Sequence, residues 1–157
     1  MLTRRPVLRA HVLPLIRLVV RADQADLVSS NAKTLAEAAY EPGSHVWGLW
    51  DQETLVGLTA MINPAEGHSA DDPLRQQPDD ANAAYLWRLM IGADFQGRGY
   101  GAAALTMACA QTRDWGFSRM TAHVSYAPHS NLTFSERYGF VSTGVIEDDE
   151  LIIAADV

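Results

Sequence analysis

The fold of this chain is decided by residues 85–101, whose sequence is YLWRLMIGADFQGRGYG. The first seven residues are apolar apart from one arginine and predict a buried β-strand. A turn follows in which glycine recurs at every second position, at Gly97, Gly99 and Gly101. Residues 100–115 then carry apolar side chains at steps of three and four residues, which predicts a helix.

A strand, a glycine-rich turn and a helix together predict a site for anionic oxygens. Several backbone N–H groups converge in such a turn, and the positive end of the helix dipole lies beside them. A side chain at Gly97, Gly99 or Gly101 would obstruct the approach of a ligand or exclude the backbone angles that the turn needs.

Two common nucleotide-binding motifs do not fit this turn. The P-loop requires lysine and then serine or threonine after its last glycine, whereas Ala102 and Ala103 follow Gly101. The dinucleotide fingerprint requires an acidic residue about twenty positions further on, and residues 120–125 contain none. That fingerprint also opens the first βαβ unit of a chain, which is not the position of this turn.

A third motif consists of Arg or Gln, two variable residues, Gly, one variable residue and Gly or Ala. Gln96, Gly99 and Gly101 match all its fixed positions, and a second motif, Phe-Ser-Glu-Arg-Tyr-Gly-Phe, follows at residues 134–140. With both motifs in this order, residues 15–157 resemble the GNAT superfamily of N-acetyltransferases, whose glycine turn binds acetyl-CoA. Within it, residues 35–42 and 55–57 and the Tyr-Leu-Trp-Arg before the turn are similar to diamine and spermidine acetyltransferases.

The resemblance implies an α+β fold, the GNAT fold. In that fold a mostly antiparallel sheet of about seven strands splays between strands 4 and 5 and is flanked by about four helices. Residues 1–157 are expected to form a single domain, with 1–12 as an N-terminal extension and 63–83 as a long loop.

The hydrophobic pattern places the other elements along the chain. Residues 13–20 are rich in β-branched side chains and predict a strand, and Asp23 predicts the start of an interrupted helix that reaches Tyr40. The remaining predicted elements are a hairpin of strands 45–50 and 54–62, a strand at 119–125, a helix near 130–138, and a final hairpin around 140–143 and 150–153.

The resemblance also implies acetyl-CoA as cosubstrate and no metal. The positions that it assigns to the cofactor are Leu89, Met90, Ile91, Gln96, Gly97, Arg98, Gly99, Tyr100, Gly101 and Ala102. Backbone N–H groups near Met90 and Ile91 are the expected donors to the thioester oxygen. We expect Arg98 to contact the pyrophosphate, because it lies among phosphate-facing amides.

The implied reaction is direct transfer, in which an unprotonated amine attacks the thioester and a thiolate leaves. The family tyrosine that would protonate the thiolate is replaced by Ser135. A serine hydroxyl is a weaker acid, so three alternatives stay open: Ser135 acts through water, Tyr138 or Tyr126 takes the role, or the thiolate leaves unprotonated. Tyr138 stands where the family has a core leucine, which favours packing.

The base that deprotonates the ammonium is the second open question. Trp87 and Arg88 occupy the strand positions at which some polyamine acetyltransferases carry a carboxylate, and neither side chain accepts a proton at neutral pH. Glu41 is the first candidate, by analogy with the mouth of the substrate side. The other candidates are His45, His123, and His68 with its acidic neighbours.

Composition limits the partners of the chain. The formal net charge is −7 and Lys33 is the single lysine, which argues against nucleic acid and suits a small-molecule amine. The single cysteine, Cys109, excludes an intrachain disulfide. We expect a cytoplasmic protein that does not enter a membrane. A homodimer is a further possibility for the assembly. The rival functions are an acetyl-CoA sensor without turnover and an acetyltransferase for a protein N-terminus or an antibiotic amine.

Overall fold

The computed structural model describes residues 1–67, 71–78, 80–127 and 130–157. The strands found in this part of the chain are β1 (Leu2–Pro6), β2 (Ser44–Asp51), β3 (Thr54–Ile62), β4 (Ala84–Ile91), β5 (Arg119–Ser125), β6 (Val141–Glu147) and β7 (Glu150–Asp156). The helices described there are α1 (Arg9–Arg17), α2 (Asn31–Ala38), α3 (Tyr100–Asp114) and α4 (Leu132–Glu136).

The described strands form one sheet in the order β1-β2-β3-β4-β5-β7-β6. β4 and β5 pair in parallel, and every other neighbouring pair is antiparallel. The predicted α+β fold, with its mixed sheet of seven strands and four helices in the described residues, is therefore confirmed.

The chain begins with an edge strand, so the expectation of an N-terminal extension over residues 1–12 is wrong. β1 pairs with β2 from Leu2 opposite Asp51 to Pro6 opposite Trp47, and Leu2 is buried. The two arginines of β1 hid the strand, because edge strands tolerate charged side chains that a central strand excludes.

Helix α1 occupies most of the segment for which a strand over residues 13–20 was predicted. Its β-branched side chains favour a strand, but Leu15 and Leu18 are three residues apart and pack together on the sheet beside Leu58. A helix places residues at this spacing on one face. The edge of the sheet is already taken by β1, so this helical packing prevails over the local preference.

Helix α2 is shorter than the helix predicted from Asp23 to Tyr40. Residues 22–24 form one 3₁₀ turn, and the helix starts after Ser30, whose Oγ accepts a hydrogen bond from the Lys33 N–H at 3.2 Å. Because the helical structure is interrupted between the 3₁₀ turn and Ser30, α2 packs against α1 instead of extending a single long helix.

Asn31 joins α1 to α2. Its side chain is buried, and its Nδ2 donates hydrogen bonds to the carbonyl oxygens of Leu15 at 2.8 Å and Leu18 at 3.2 Å. The last carbonyls of a helix have no partner within the helix. The Asn31 amide bonds to the carbonyl of Leu15 in the last turn of α1 and to that of Leu18, the residue after the helix, and so ties α2 to α1.

The central elements agree with the sequence. The β2–β3 hairpin, β4, α3 and β5 lie within one or two residues of their predicted bounds. The described residues of the loop 63–83 contain neither helix nor strand, and Asp80 accepts a hydrogen bond from Arg119 Nε at 3.2 Å, which attaches the loop to β5. His68 lies outside the described residues.

The helices cover opposite faces of the sheet. On one face, α3 contributes Leu105 and Ala108 to a core that includes Met120 and Phe140. On the other face, α1 and α2 cover a second core that includes Tyr85 and Trp87 of β4. Alternate residues of β4 therefore belong to different cores, as the pleat of a strand requires.

β4 and β5 pair only from Ala84 to Leu86, and the described residues show no pairing beyond that point. On the other side of β4, Leu86 and Arg88 pair with two successive residues of β3. Trp87 is thus the extra residue of a β-bulge, which increases the local twist of a strand. The bulge coincides with the separation of the two strands.

The C-terminal elements differ in length from the prediction. α4 spans five residues where a helix near 130–138 was expected, while β6 and β7 form a longer hairpin than predicted. Asp148 and Asp149 connect them with φ angles of 48° and 63°. Two successive residues with positive φ are the signature of a tight hairpin turn.

Replacement of Asn31 by alanine tests the connection between α1 and α2. The Asn31→Ala variant removes the side-chain donor from the carbonyls of Leu15 and Leu18, of which Leu15 keeps the Leu18 N–H at 3.1 Å, so we expect a loss of about 1–3 kcal/mol in the free energy of unfolding. Chemical denaturation measures this loss. The Asn82→Ala variant, at an exposed asparagine, is the control and should unfold like the parent, whereas equal stability of the Asn31 variant would contradict the role of its amide.

Candidate active site

A cavity of about 1010 Å³ lies where β4 and β5 separate. Its wall includes Leu105 and Phe140 from the α3 side of the sheet and Tyr85 and Trp87 from the α1 and α2 side. The cavity therefore passes between the two strands and reaches both faces. Its volume lies at the upper end of the range for ligand pockets, about 300–1,000 Å³.

The glycine turn forms one end of this cavity. Gly97 and Gly99 have φ angles of 75° and 82°, and Gly99 is the residue that precedes the first turn of α3. A Cβ atom at either position would meet no other atom within 4 Å. The backbone angle, rather than crowding, requires glycine here.

Gly101 has no positive φ, but it leaves little room for a side chain. A Cβ atom at this position would lie 3.2 Å from Cζ of Phe134, so the ring of α4 rests on the first turn of α3. The first amides of a helix have no partner within it. The turn and these amides form a concave backbone surface that suits anionic oxygens, as the sequence predicted.

The side chain of Gln96 holds the turn in place. Its Nε2 donates to Oε1 of Gln24 at 2.7 Å and to the carbonyl oxygen of Ile91 at 3.0 Å. Gln96 thus joins the end of β4 to the 3₁₀ turn that follows α1. This contact gives the motif glutamine a structural role that its spacing alone does not reveal.

Arg98 does not line the cavity, although the sequence suggested a pyrophosphate contact. Its Nη2 donates to the carbonyl oxygen of Asp94 at 2.9 Å, and its guanidinium lies over the ring of Phe95 at 5.7 Å. The nearby carbonyl and aromatic ring satisfy the guanidinium locally. The other nine positions expected to hold the cofactor all line the cavity.

Tyr100 binds the strand next to the turn. Its hydroxyl donates to Oδ2 of Asp51 at 2.5 Å. This hydrogen bond, together with the N-terminal ammonium, lowers the pKa of the Asp51 carboxyl, and the same bond raises the pKa of the Tyr100 phenol. Tyr100 therefore connects the start of α3 to the β1–β2 edge of the sheet.

The backbone of β4 faces the gap at Leu89, Met90 and Ile91. These residues pair with β3 on one side, while the pairing with β5 ends at Leu86. Alternate N–H and C=O groups of a strand point to opposite sides, so part of this backbone is directed toward the cavity. The position agrees with the expected donors near Met90 and Ile91.

Ser135 and Tyr138 both line the cavity, but they differ in what their hydroxyls do. Ser135 is buried, and its Oγ donates to the carbonyl oxygen of Asn131 at 3.0 Å. Tyr138 is 42% exposed, and its ring lies against Phe134 with centroids 5.0 Å apart. The core position suggested for Tyr138 is therefore wrong, because α4 ends early and the ring stays at the surface.

Tyr126, the third candidate acid, is 68% exposed and does not line this cavity. The structure thus brings two of the three hydroxyls suggested by the sequence to the cavity wall.

Glu41, the first candidate base, does not line the cavity. It follows α2, and its backbone N–H and carbonyl bond to Glu37 and Ser44 in the turn toward β2. The acid of this helix that reaches the cavity is Glu37, one helical turn earlier. Glu41 lies away from the cavity wall because the helix ends at Ala38 and the chain turns toward β2.

The two described histidine candidates lie in different places. His45 Nε2 is 3.0 Å from Oε2 of Glu66 and lies outside the cavity. His123 lines the cavity, where its Nδ1 is 2.6 Å from the hydroxyl of Tyr85 and its Nε2 is 3.4 Å from Oε2 of Glu147. The sequence could have suggested the contact between His123 and Tyr85 only through their positions on two strands that are neighbours in the sheet.

A cluster of charged side chains on the α2 side of the cavity was not predicted from the sequence. Nη2 of Arg88 is 3.4 Å from Oε2 of Glu37, whose other oxygen is 3.6 Å from Nζ of Lys33. The guanidinium also lies over the ring of Trp87, 4.9 Å from its centroid. All four of these side chains line the cavity, and the i, i+4 spacing of the two α2 residues is the signal that the sequence offered.

Carboxylates outnumber cations in the wall of the cavity. The acidic lining residues are Glu37, Asp72, Glu147, Asp148 and Glu150, and the basic ones are Lys33, Arg75 and Arg88. Within the described ranges, no group of three or more His, Cys, Asp or Glu could hold a metal ion. A search of the same residues finds no helix with the length and apolar character needed to cross a membrane.

Comparison with solved structures supports the fold. The chain is similar to the aminoglycoside acetyltransferase AAC(6')-Ib in complex with coenzyme A, with a TM-score of 0.76, 12% identity and coverage of 99% of this chain and 95% of that chain. It is similar to a GNAT family acetyltransferase from Elizabethkingia anophelis with acetyl-CoA bound, with a TM-score of 0.67, 11% identity and coverage of 99% and 98%.

The PaiA N-acetyltransferase from Thermoplasma acidophilum in complex with coenzyme A has a TM-score of 0.66, 16% identity and coverage of 100% and 99%. No curated protein sequence matches the chain significantly. The model of the Acetyltransferase (GNAT) family matches residues 15–140. Since this match spans most of the sequence and contains the glycine turn, the chain belongs to the GNAT family of acetyltransferases.

Proposed function

We propose that this protein transfers the acetyl group of acetyl-CoA to the primary amine of a small molecule, and that diamines and polyamines are its acceptors. The observation that carries the proposal is the glycine turn at the end of a cavity between β4 and β5. Membership of an acetyltransferase family and the acetyl-CoA or coenzyme A in three similar structures support the same donor.

The residues at the turn fit a pyrophosphate. No other atom lies within 4 Å of the place where a Cβ would stand at Gly97 or Gly99, so a ligand has room there. The amides of Gly101 and Ala102 lie at the start of α3, where the helix dipole favours an anion. Leu89 to Ile91 would hold the extended arm of the cofactor through the backbone of β4. Acetyl-CoA would supply the thioester carbonyl that an amine attacks.

The acidic wall supports a cationic acceptor. Glu147, Asp148 and Glu150 lie in the part of the cavity wall that the β6–β7 hairpin supplies, whereas the Glu37 carboxylate is already paired with Arg88 and Lys33. Clefts lined by one sign of charge raise the local concentration of ligands of the opposite sign. A diamine or polyamine carries several ammonium groups, so one can remain near these carboxylates while another is acetylated.

Tyr138 is the better proton donor for the departing thiolate. Tyr138 lines the cavity and its hydroxyl makes no hydrogen bond with another described residue, whereas the hydroxyl proton of Ser135 is directed to the carbonyl oxygen of Asn131. A hydroxyl already committed to a helix carbonyl is a poor donor to a second group.

A panel of amines with acetyl-CoA tests the function. We expect release of CoA thiol with putrescine and spermidine, and less with an aminoglycoside or an N-terminal peptide, because a linear polycation suits the acidic wall. The assay follows free thiol and identifies the acetylated product by mass spectrometry. Thermal stabilisation by acetyl-CoA without turnover on any amine would contradict the proposal and indicate a sensor.

Gly99→Ala tests the cofactor site through binding alone. An alanine at a φ of 82° is strained by about 1–2 kcal/mol, and relief of that strain moves the turn, so we expect acetyl-CoA affinity to fall at least tenfold by calorimetry. Gly116→Ala is the matched control, because Gly116 has a φ of 86° and similar open space at the other end of α3. Equal affinities of both variants would contradict the site.

The acid is tested by a pair of hydroxyl deletions. Tyr138→Phe should lower kcat about tenfold or more, and Ser135→Ala should lower it less than tenfold, because general acid catalysis contributes about 10²–10⁴-fold when the leaving group needs it. Steady-state kinetics of the parent and both variants measures this order. Tyr40→Phe, at an exposed tyrosine outside the cavity, is the control, and a larger loss in Ser135→Ala would reverse the assignment.

A further inference from the structure

Three polar side chains in the cavity wall form a connected chain, Tyr85–His123–Glu147. The Tyr85 hydroxyl is 2.6 Å from Nδ1 of His123, and Nε2 of His123 is 3.4 Å from Oε2 of Glu147. Tyr85 is 3% exposed, while the side chains of His123 and Glu147 are 10% and 46% exposed. The chain of contacts therefore leads from the buried wall of the cavity toward solvent.

For a neutral imidazole, the contacts are consistent with one placement of the protons. Burial raises the pKa of the Tyr85 phenol far above its usual value, so the phenol is neutral. The Glu147 carboxylate can only accept a hydrogen bond, so Nε2 of His123 carries a hydrogen. Nδ1 then has the free electron pair and accepts the Tyr85 hydroxyl proton.

We propose that Tyr85, His123 and Glu147 form the relay that removes the proton from the acceptor ammonium. This inference rests on the proposed function and adds the base that sequence analysis left open. The phenol oxygen of Tyr85 accepts a proton from the ammonium nitrogen while its own proton passes to Nδ1 of His123. One N–H bond of the ammonium breaks, one N–H bond forms on the imidazole, and Tyr85 remains a neutral phenol.

The simultaneous transfer follows from the burial of Tyr85. Stepwise loss of its proton would create a buried phenolate, which the apolar surroundings disfavour. Passing one proton on while another is received avoids that charge. The positive charge appears on His123, whose side chain is directed to the carboxylate of Glu147.

Charges on the neighbouring elements act on the relay. The positive charge of Arg88 on β4 lowers the pKa of the Tyr85 phenol, whereas the negative charges of Glu150 on β7 and Glu147 on β6 raise it. Asp148 lies beside the two glutamates in the cavity wall. The Arg88 guanidinium is itself paired with Glu37 of α2. The side of the relay that faces the β6–β7 hairpin is therefore acidic.

The pH dependence of His123→Gln tests the relay. Protonation of His123 at low pH removes its ability to accept the proton, so kcat/KM of the parent should fall on the acid side. Glutamine keeps a polar side chain but cannot take up a proton, so we expect kcat/KM near neutral pH to fall about 100-fold or more and the acid limb assigned to the imidazole to vanish.

Coupling between Tyr85 and His123 separates a relay from a structural contact. Tyr85→Phe keeps the ring and removes the oxygen through which the proton passes, so it should lower kcat/KM about as much as His123→Gln. The double variant should be no slower than the slower single variant, because members of one unit have non-additive effects. Multiplying losses would contradict the relay.

Two further measurements do not depend on turnover. In ¹⁵N-histidine NMR spectra of the parent without acetyl-CoA, the His123 signals should show the Nε2–H form, and Glu147→Gln should change them. Calorimetry should give the same affinity for acetyl-CoA in the parent and in the three single variants. His45→Gln is the matched control, because His45 also contacts a glutamate but lies outside the cavity.

The outcomes distinguish the two proposals. If the parent releases no CoA thiol with any amine, the proposed function fails and the relay with it. If the parent turns over while His123→Gln keeps its rate and its acid limb, the relay alone is overturned. An Nδ1–H form of His123 in the NMR spectra would also overturn it.

Discussion

The separation of β4 from β5 is the constraint on which the rest of the molecule depends. The two strands pair over only three residues of β4, and the bulge at Trp87 turns the strand at that point. The sheet therefore consists of two parts, β1 to β4 and β5 to β7, joined by a short parallel pairing and by α3. Backbone groups that β5 would have satisfied face a cavity and require water or a ligand as partner.

The two ends of the cavity are built from different chemical groups. At the α3 end, backbone amides and the positive φ angles of Gly97 and Gly99 make the surface, and Gln96 holds it against β4. At the α2 and hairpin end, charged and polar side chains make it. Under the proposed function, the first end would hold the phosphate group of the donor and the second the amine.

The sequence predicts the strand, the turn and the helix of residues 85–115 because each has a local signal. The strand is an apolar run, the turn has three glycines, and the helix has apolar residues at a helical period. The prediction from sequence failed for residues 13–20, where packing of Leu15 on the sheet prevails over β-branched propensity. The structure places Arg98 and Glu41 outside the cavity wall, because the direction of such a side chain depends on the nearest carbonyl or the end of a helix. Tyr85 and His123 are 38 positions apart, and no spacing rule relates residues on strands that pair through a crossover.

The division of the cavity has an evolutionary consequence. Backbone surfaces are insensitive to most substitutions. Under the proposed function, mutations in α2 or in the β6–β7 hairpin would therefore alter the choice of acceptor without weakening the binding of the donor. The turn at Asp148 and Asp149 lies between two strands at the edge of the sheet, where loops tolerate insertion and replacement. Related proteins with new specificities would thus arise by substitution or insertion of residues in that hairpin, while the sequence of β4, the strand that carries the bulge, stays unchanged.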